Sequence, residues 1–169
     1  FYTTPESLEF HGLLKDMRVS GCTHVIAEVS SHALAQYRVD GAVFKVAAFT
    51  NLTRDHLDFH KTMEDYFRAK ERLFRELLER DGMCVINLDD PYGTILNSEL
   101  RSQRKQGQNS ELIKILTYGL EDGADMVAGE INNSLDGLKF KISFRGRSYD
   151  VSSNMIGMPN VYNIMSAAG

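Results

Sequence analysis

The sequence predicts an α/β fold: a mostly parallel, doubly wound sheet with a small antiparallel sheet appended. Three observations predict it. Short apolar runs closed by polar residues recur at 23–30, 43–49, 82–87 and 113–118, and runs of this length suit strands buried on both faces. Helical patterns separate them, as in parallel βαβ units. From 124 to 151 the texture changes to alternation, as in Leu138-Lys139-Phe140-Lys141-Ile142-Ser143-Phe144, the period of an antiparallel sheet with one solvated face.

At 169 residues the chain fits one domain with a sizeable core. A charged fraction of 25% beside a hydrophobic fraction of 43% describes an ordinary soluble globule. Net charge of −4 offers no electrostatic argument for nucleic acid or an anionic membrane. With no signal peptide, no bilayer-length apolar run, and Cys22 and Cys84 reading as small buried side chains, a cytoplasmic protein is expected. The chain opens at Phe1 and stops at Ala167-Ala168-Gly169 inside a predicted helix, so it is expected to be a piece of a larger protein.

Taken in order, Thr4 is a fitting N-cap with Pro5 at the first helical position and Glu6 in the first turn. Leu8, Leu13, Leu14 and Met17 carry that helix to about Gly21. Thr3 and Thr4 can serve as caps, or as hydroxyls at a helix N-terminus that receive an anion or carbonyl. The run 23–30 reads as a buried parallel strand whose carboxyl end carries Glu28, Ser30, Ser31 and His32. Sites in open α/β sheets form outside such ends, so Glu28 is a functional candidate, whereas His32 suits loop packing. A helical turn through Ala33 to Gln36 leads to the strand 43–49, whose polar exit is Thr50-Asn51. Two strands would thus deliver polar groups to one edge.

The next helix is capped by Thr62, with Glu64 and Asp65 in its first turn. At 100° per residue Met63, Tyr66, Phe67, Leu73, Phe74, Leu77 and Leu78 share an arc about 140° wide. Lys70 lies within about 10° of its centre. It can lay its stem on apolar neighbours and send the ammonium to water. It can also be a functional lysine: burial lowers the pKa, and a neutral amine can take up carbon dioxide as a carbamate. That would replace a cation by an anion with two oxygens, a hard donor suited to magnesium.

Beyond it, 82–87 is a third strand, Asp89-Asp90-Pro91 opens a helix to about Arg104, 103–111 reads as a polar loop and 113–118 as a fourth strand. Asp136-Gly137 marks a hairpin turn. Gly157-Met158-Pro159-Asn160 starts the final helix, which carries Asn163.

Six motifs in this order resemble the central, P-loop NTPase-like domain of Mur ligases. They are Thr-Thr-Pro-Glu-Ser; Glu28-Val-Ser-Ser-His-Ala-Leu with Gln36 and Arg38; Thr-Asn-Leu-Thr-Arg-Asp-His-Leu-Asp-Phe-His; Tyr66-x-x-Ala-Lys70; Asn87-Leu-Asp-Asp; and Gly157-x-x-Asn-x-x-Asn. Mur ligases add amino acids to the peptidoglycan stem peptide at the cost of ATP. The first two motifs most resemble the branch that adds the third residue to UDP-MurNAc-L-Ala-D-Glu. The resemblance spans essentially the whole chain.

It implies roles. Glu28 would hold the magnesium bound to ATP, and His56 with a carbamylated Lys70 would serve a second magnesium. Thr3, Thr4, Ser30, Gln36 and Arg38 would contact the UDP-MurNAc-dipeptide, and Asn160 and Asn163 the adenine. The substrate carboxylate would be phosphorylated by ATP, and the amine of a free amino acid would attack the acyl phosphate. The intact protein is expected to be monomeric, without nucleic-acid or membrane partners. The family's Gly-rich phosphate loop and the domain for the incoming amino acid are not among these residues, so the piece alone is expected not to ligate. Pro159 replaces a bulkier family residue before Asn160, and Tyr2 stands where some relatives have Asn. Other readings are a folylpolyglutamate-synthase-like ligase, a zinc hydrolase using His56-x-x-x-His60, and a non-catalytic nucleotide-binding module.

Overall fold

The computed structural model describes residues 3–105 and 113–169. In chain order the elements are α1 (Ser7–Val19), α2 (Ser31–Ala35), β1 (Phe44–Phe49), α3 (Leu57–His60), α4 (Met63–Arg75), β2 (Leu78–Asn87), α5 (Pro91–Lys105), β3 (Lys114–Gly119), β4 (Met126–Ser134), β5 (Gly137–Phe144), β6 (Arg147–Ser153) and α6 (Met158–Ala168). They form two compact units. One comprises Phe1–Phe44 with Arg54–Glu79, the other Lys45–Thr53 with Arg80–Gly169.

The α/β class is as predicted, and the antiparallel strands are appended to the parallel ones by continuing the same sheet. All six strands lie in one sheet in sequence order. β2 and β3 are parallel, with Val85 beside Leu116. β4 joins β3 in parallel over only Tyr118–Met126 and Gly119–Val127, then runs on and pairs antiparallel with β5. β6 pairs antiparallel with β5. The alternation in β5 buries Leu138, Phe140 and Ile142, which pack with Val85, Tyr118 and the α6 residues Val161 and Met165. Each such side chain contributes about 1.5–3 kcal/mol by leaving water.

Polar ends of the strands in this second unit are tied locally. Asp90 accepts from the N–H groups of Tyr92 (2.8 Å) and Gly93 (3.2 Å), capping α5, and from that of Leu52 (2.9 Å). Asn87 Nδ2 donates to the Thr50 carbonyl at 2.8 Å. Gly93 is required here: a Cβ on it would lie 1.9 Å from the Asn87 carbonyl oxygen.

The first unit has a smaller apolar cluster, Phe10, Leu34, Val39 and Leu77, and more polar fastening. Arg72 donates to both carboxylate oxygens of Asp40 (2.9 and 2.8 Å), pairs with Glu76 (2.6 Å) and lies 4.2 Å over the Tyr37 ring. Thr62 caps α4, its side chain accepting from Asp65 N at 3.0 Å. Glu71, on the predicted polar side of α4, is buried between Arg68 (2.7 Å) and Arg75.

Several expectations are corrected. Residues 23–30 form no strand, and Val25 and Ile26 are exposed. A strand exists through its ladder, and no described strand pairs with this segment. Helix α1 starts at Ser7 behind Glu6, not at Pro5 behind Thr4. Leu78 belongs to β2 rather than the α4 stripe. Cys84 is buried, but Cys22 is exposed. The loop predicted at 103–111 begins with residues that continue α5, and 106–111 lie outside the described residues.

Candidate functional site

Helix α4 puts Lys70 one turn after Tyr66, and its Nζ lies 5.5 Å from the Tyr66 ring centroid. Tyr66 is 7% exposed. The lysine is not drawn out into water: burial lowers its pKa, opposed by the nearby negative charge of Glu28. The aromatic face favours the cation, while the loss of solvent favours the neutral amine.

Glu28 reaches this neighbourhood on the irregular segment 23–30, pinned by Thr4. The Thr4 hydroxyl donates to the Glu28 carbonyl at 2.8 Å and accepts from Ser30 N at 2.9 Å. Ser30 in turn caps α2 by accepting from Ala33 N at 3.2 Å. Thr4 therefore works as a brace between the start of the chain and the Glu28 segment, although it is not a helix cap.

His56 precedes α3 with φ 55° and ψ 23°. The left-handed region costs a residue with a Cβ about 1–2 kcal/mol, and such strain concentrates where a side chain must be aimed. The His56 ring lies 4.9 Å from that of His32 and 5.8 Å from that of Tyr66. His60, at the end of α3, is buried and stacks on Tyr66, with centroids 5.1 Å apart and planes 14° apart. Its Nε2 is 2.8 Å from Ser31 Oγ. Burial, followed by the neighbouring His32 and His56, lowers its pKa, while Asp65 acts in the opposite sense.

Glu28, His56 and Lys70 thus fall in one compact unit, with Glu28 acting electrostatically on Lys70. The lining added by His32, His60, Ser31 and Tyr66 was not assigned to the centre from sequence. The i,i+4 relation of Tyr66 to Lys70 and the His56-x-x-x-His60 spacing were the available signals. Among the described residues, no group of three His, Cys, Asp or Glu side chains could hold a metal ion. The two histidines are therefore no ready-made zinc site.

The remaining candidates divide. Thr3 is exposed and Thr4 buried. Arg38 is 7% exposed. Its Nε donates to Gln36 Oε1 (2.8 Å), its Nη1 to the Thr4 carbonyl (3.2 Å), and its Nη2 pairs with Glu6 (2.9 Å). Its guanidinium holds Gln36 and the Thr4 brace in place. Asn160 and Asn163 lie in the other unit on α6, where Asn163 Nδ2 donates to Asn160 Oδ1 at 3.2 Å.

The fold recurs in solved structures of low sequence identity. The structure described as "FPGS-AMPPCP complex" matches with a TM-score of 0.59 at 11% identity, over 95% of this chain and 42% of that one. At that identity the likeness concerns the fold alone.

The Mur ligase middle domain model matches residues 2–169, and the chain belongs to that family. It is 44% identical over 166 residues to the UDP-N-acetylmuramoyl-L-alanyl-D-glutamate--2,6-diaminopimelate ligase of Solibacter usitatus, covering 98% of this chain and 31% of that protein. The protein of the same name from Caldanaerobacter subterraneus is 40% identical over 98% of this chain and 32% of its own length. A solved structure of a ligase of that name matches with a TM-score of 0.84 at 36% identity, over 98% of this chain and 32% of that one. The chain spans about a third of the length of these relatives.

Proposed function

We propose that this chain is the central domain of a MurE-type ligase. The protein would join a third amino acid to UDP-MurNAc-L-Ala-D-Glu, with ATP converted to ADP and phosphate. The relatives are named for 2,6-diaminopimelate, which makes that the first amine to test. The observation that carries the reading is Lys70, held against Tyr66 where burial disfavours its charge and within the field of Glu28.

Glu28 would hold the Mg2+ that accompanies ATP, and His56 with a carbamylated Lys70 would serve a second Mg2+. Once bound, Mg2+ neutralises phosphate charge and orients the reacting carboxylate, the main needs of phosphoryl transfer. The protein's own groups prepare this. Desolvation of Lys70 raises the fraction of neutral amine, which adds to carbon dioxide with loss of one proton to water. Thr4 fixes the Glu28 segment, and Arg38 fixes Thr4 and Gln36 beside it. His60, disfavoured as a cation, packs the ring of Tyr66 without adding positive charge. Thr3, Thr4, Ser30, Gln36 and Arg38 would form the side that receives the nucleotide-sugar peptide, and Asn160 and Asn163 would recognise the adenine. The intact ligase would act as a cytoplasmic monomer. The 169 residues alone would not ligate, because the phosphate loop and the amino-acid domain belong to the rest of such a protein.

The test is turnover by the full-length protein with ATP, UDP-MurNAc-L-Ala-D-Glu and diaminopimelate. ADP, phosphate and the tripeptide product are expected. Lys70→Ala should lower kcat by at least about 1,000-fold, roughly 4 kcal/mol of transition-state stabilisation. Near-normal turnover by Lys70→Ala would refute the proposed centre.

A further inference from the structure

The sequence motif Asn87-Leu-Asp-Asp contains three polar groups, and two have structural tasks within the motif's own surroundings. Asn87 ties to Thr50 and Asp90 caps α5. Asp89 instead reaches away from both. Its Oδ2 accepts from Leu120 N at 2.7 Å, just past β3, and from the Tyr162 hydroxyl at 2.9 Å, in α6. The carboxylate sits so close to Gly119 that a Cβ there would lie 2.6 Å from Asp89 Oδ1. This seat explains the glycine at the end of β3, which has no left-handed φ to justify it.

Tyr162 stands between Asn160 and Asn163 on the same helix. At 100° per residue Asn160 and Asn163 project about 60° apart, and Tyr162 about 100° from Asn163 on the side away from Asn160. A fixed Tyr162 hydroxyl therefore sets the rotation of α6 about its axis and with it the direction of both carboxamides. Other bonds fix the start of the helix: Asn160 Nδ2 donates to the Ile156 carbonyl at 2.7 Å, and Gly157 N to Asn133 Oδ1 at 2.9 Å. Burial and the Asp89 charge push Tyr162 up to about 12, so it remains a hydrogen-bond donor throughout the physiological range.

We propose that Asp89 and Tyr162 form a latch, seated on Gly119, that orients Asn160 and Asn163 for recognition of the nucleotide base. This rests on the adenine reading above and deepens it. Asp89 and Tyr162 are positioning residues: they act through the asparagines and set selectivity for the base rather than the rate of the chemical step.

The experiment uses the full-length protein and measures kcat and KM with ATP and, separately, with GTP. Tyr162→Phe and Asp89→Ala should each raise the KM for ATP about tenfold, equivalent to about 1.4 kcal/mol. The KM for GTP and kcat with ATP should move less than about twofold, so that ATP/GTP selectivity falls about tenfold. Asp89→Asn, whose amide oxygen can still accept both bonds, should restore most of the selectivity. If Asp89→Ala does not fold, Tyr162→Phe, which removes one hydroxyl, carries the test. A raised ATP KM in Asn160→Ala with unchanged selectivity in Tyr162→Phe would overturn the latch and leave the adenine reading intact. Unchanged ATP KM in both variants would overturn the two together. A fall in thermal stability or kcat without a change in selectivity would also overturn the latch.

Discussion

The two units of the chain are built by different means. The unit of Lys45–Thr53 and Arg80–Gly169 rests on strand ladders and an apolar core from β2 to β5 and α6. The unit of Phe1–Phe44 and Arg54–Glu79 buries fewer apolar side chains among the described residues, with Phe10, Leu34, Val39, Phe67, Phe74 and Leu77 among them, and adds polar fasteners: Thr4, Arg38, Arg72, and Glu71 between two arginines. It also holds Tyr37, His56 and Lys61 at positive φ. Ladders and apolar packing are tolerant and supply stability. Polar fasteners are directional, and one of them, Thr4, fixes the segment that carries Glu28. The comparison teaches that the proposed metal-binding centre falls in the unit with the weaker apolar core.

The largest expected effect breaks the comparison from the apolar side. Leu138→Ala should destabilise the 169-residue chain by about 3 kcal/mol, since a buried leucine truncated in a core costs about 2–5 kcal/mol. Urea unfolding measures it. A loss below about 1 kcal/mol would mean that the β5 core does not carry the stability assigned to it.

Acid should expose the other unit first. His60 has a folded pKa below its unfolded value of about 6.5, so its charged form is disfavoured by folding. Its contribution is intact above pH 6.5 and is lost as pH falls through that value toward the folded pKa. The slope has an upper limit of about 1.4 kcal/mol per pH unit for one proton. His60→Gln should flatten the dependence of the unfolding midpoint as pH falls below about 6.5. An unchanged slope in that variant would assign the acid sensitivity to other groups.

A smaller effect sharpens the role of backbone strain. His56→Gly should be more stable than His56→Ala by about 1 kcal/mol, because only glycine occupies the left-handed region freely. Both should lose ligation in the full-length protein. Equal stability of the two would show that the φ of His56 stores no strain.

The parts readable from sequence were those set locally. Thr62 caps α4 as its residue type and position indicate, the alternation of β5 gives its buried face, and the hairpin expected at Asp136-Gly137 forms one residue earlier, with Leu135-Asp136 in the turn and Gly137 opening β5 at φ 123°. The stripe on α4 also located Lys70, because a charged residue amid apolar neighbours violates the helical period. The parts that were not readable depend on distant partners. The 23–30 run has the composition of a strand, but pairing is non-local and no described strand supplies it. Glu71 lies outside the apolar arc of α4, and its burial depends on Arg68 and Arg75 pairing with it. The bonds of Arg38 to Gln36, Glu6 and the Thr4 carbonyl also depend on how separate stretches of chain meet. The stacking of His60 on Tyr66 likewise follows from how α3 meets α4, which no residue pattern encodes.

The most direct measurement of the account is carbon-13 NMR of the full-length protein equilibrated with labelled bicarbonate, Mg2+ and nucleotide. One carbamate signal per chain is predicted, absent from Lys70→Arg. A fully active protein that shows no such signal would contradict the claim that Lys70 works as a modified, oxygen-bearing ligand.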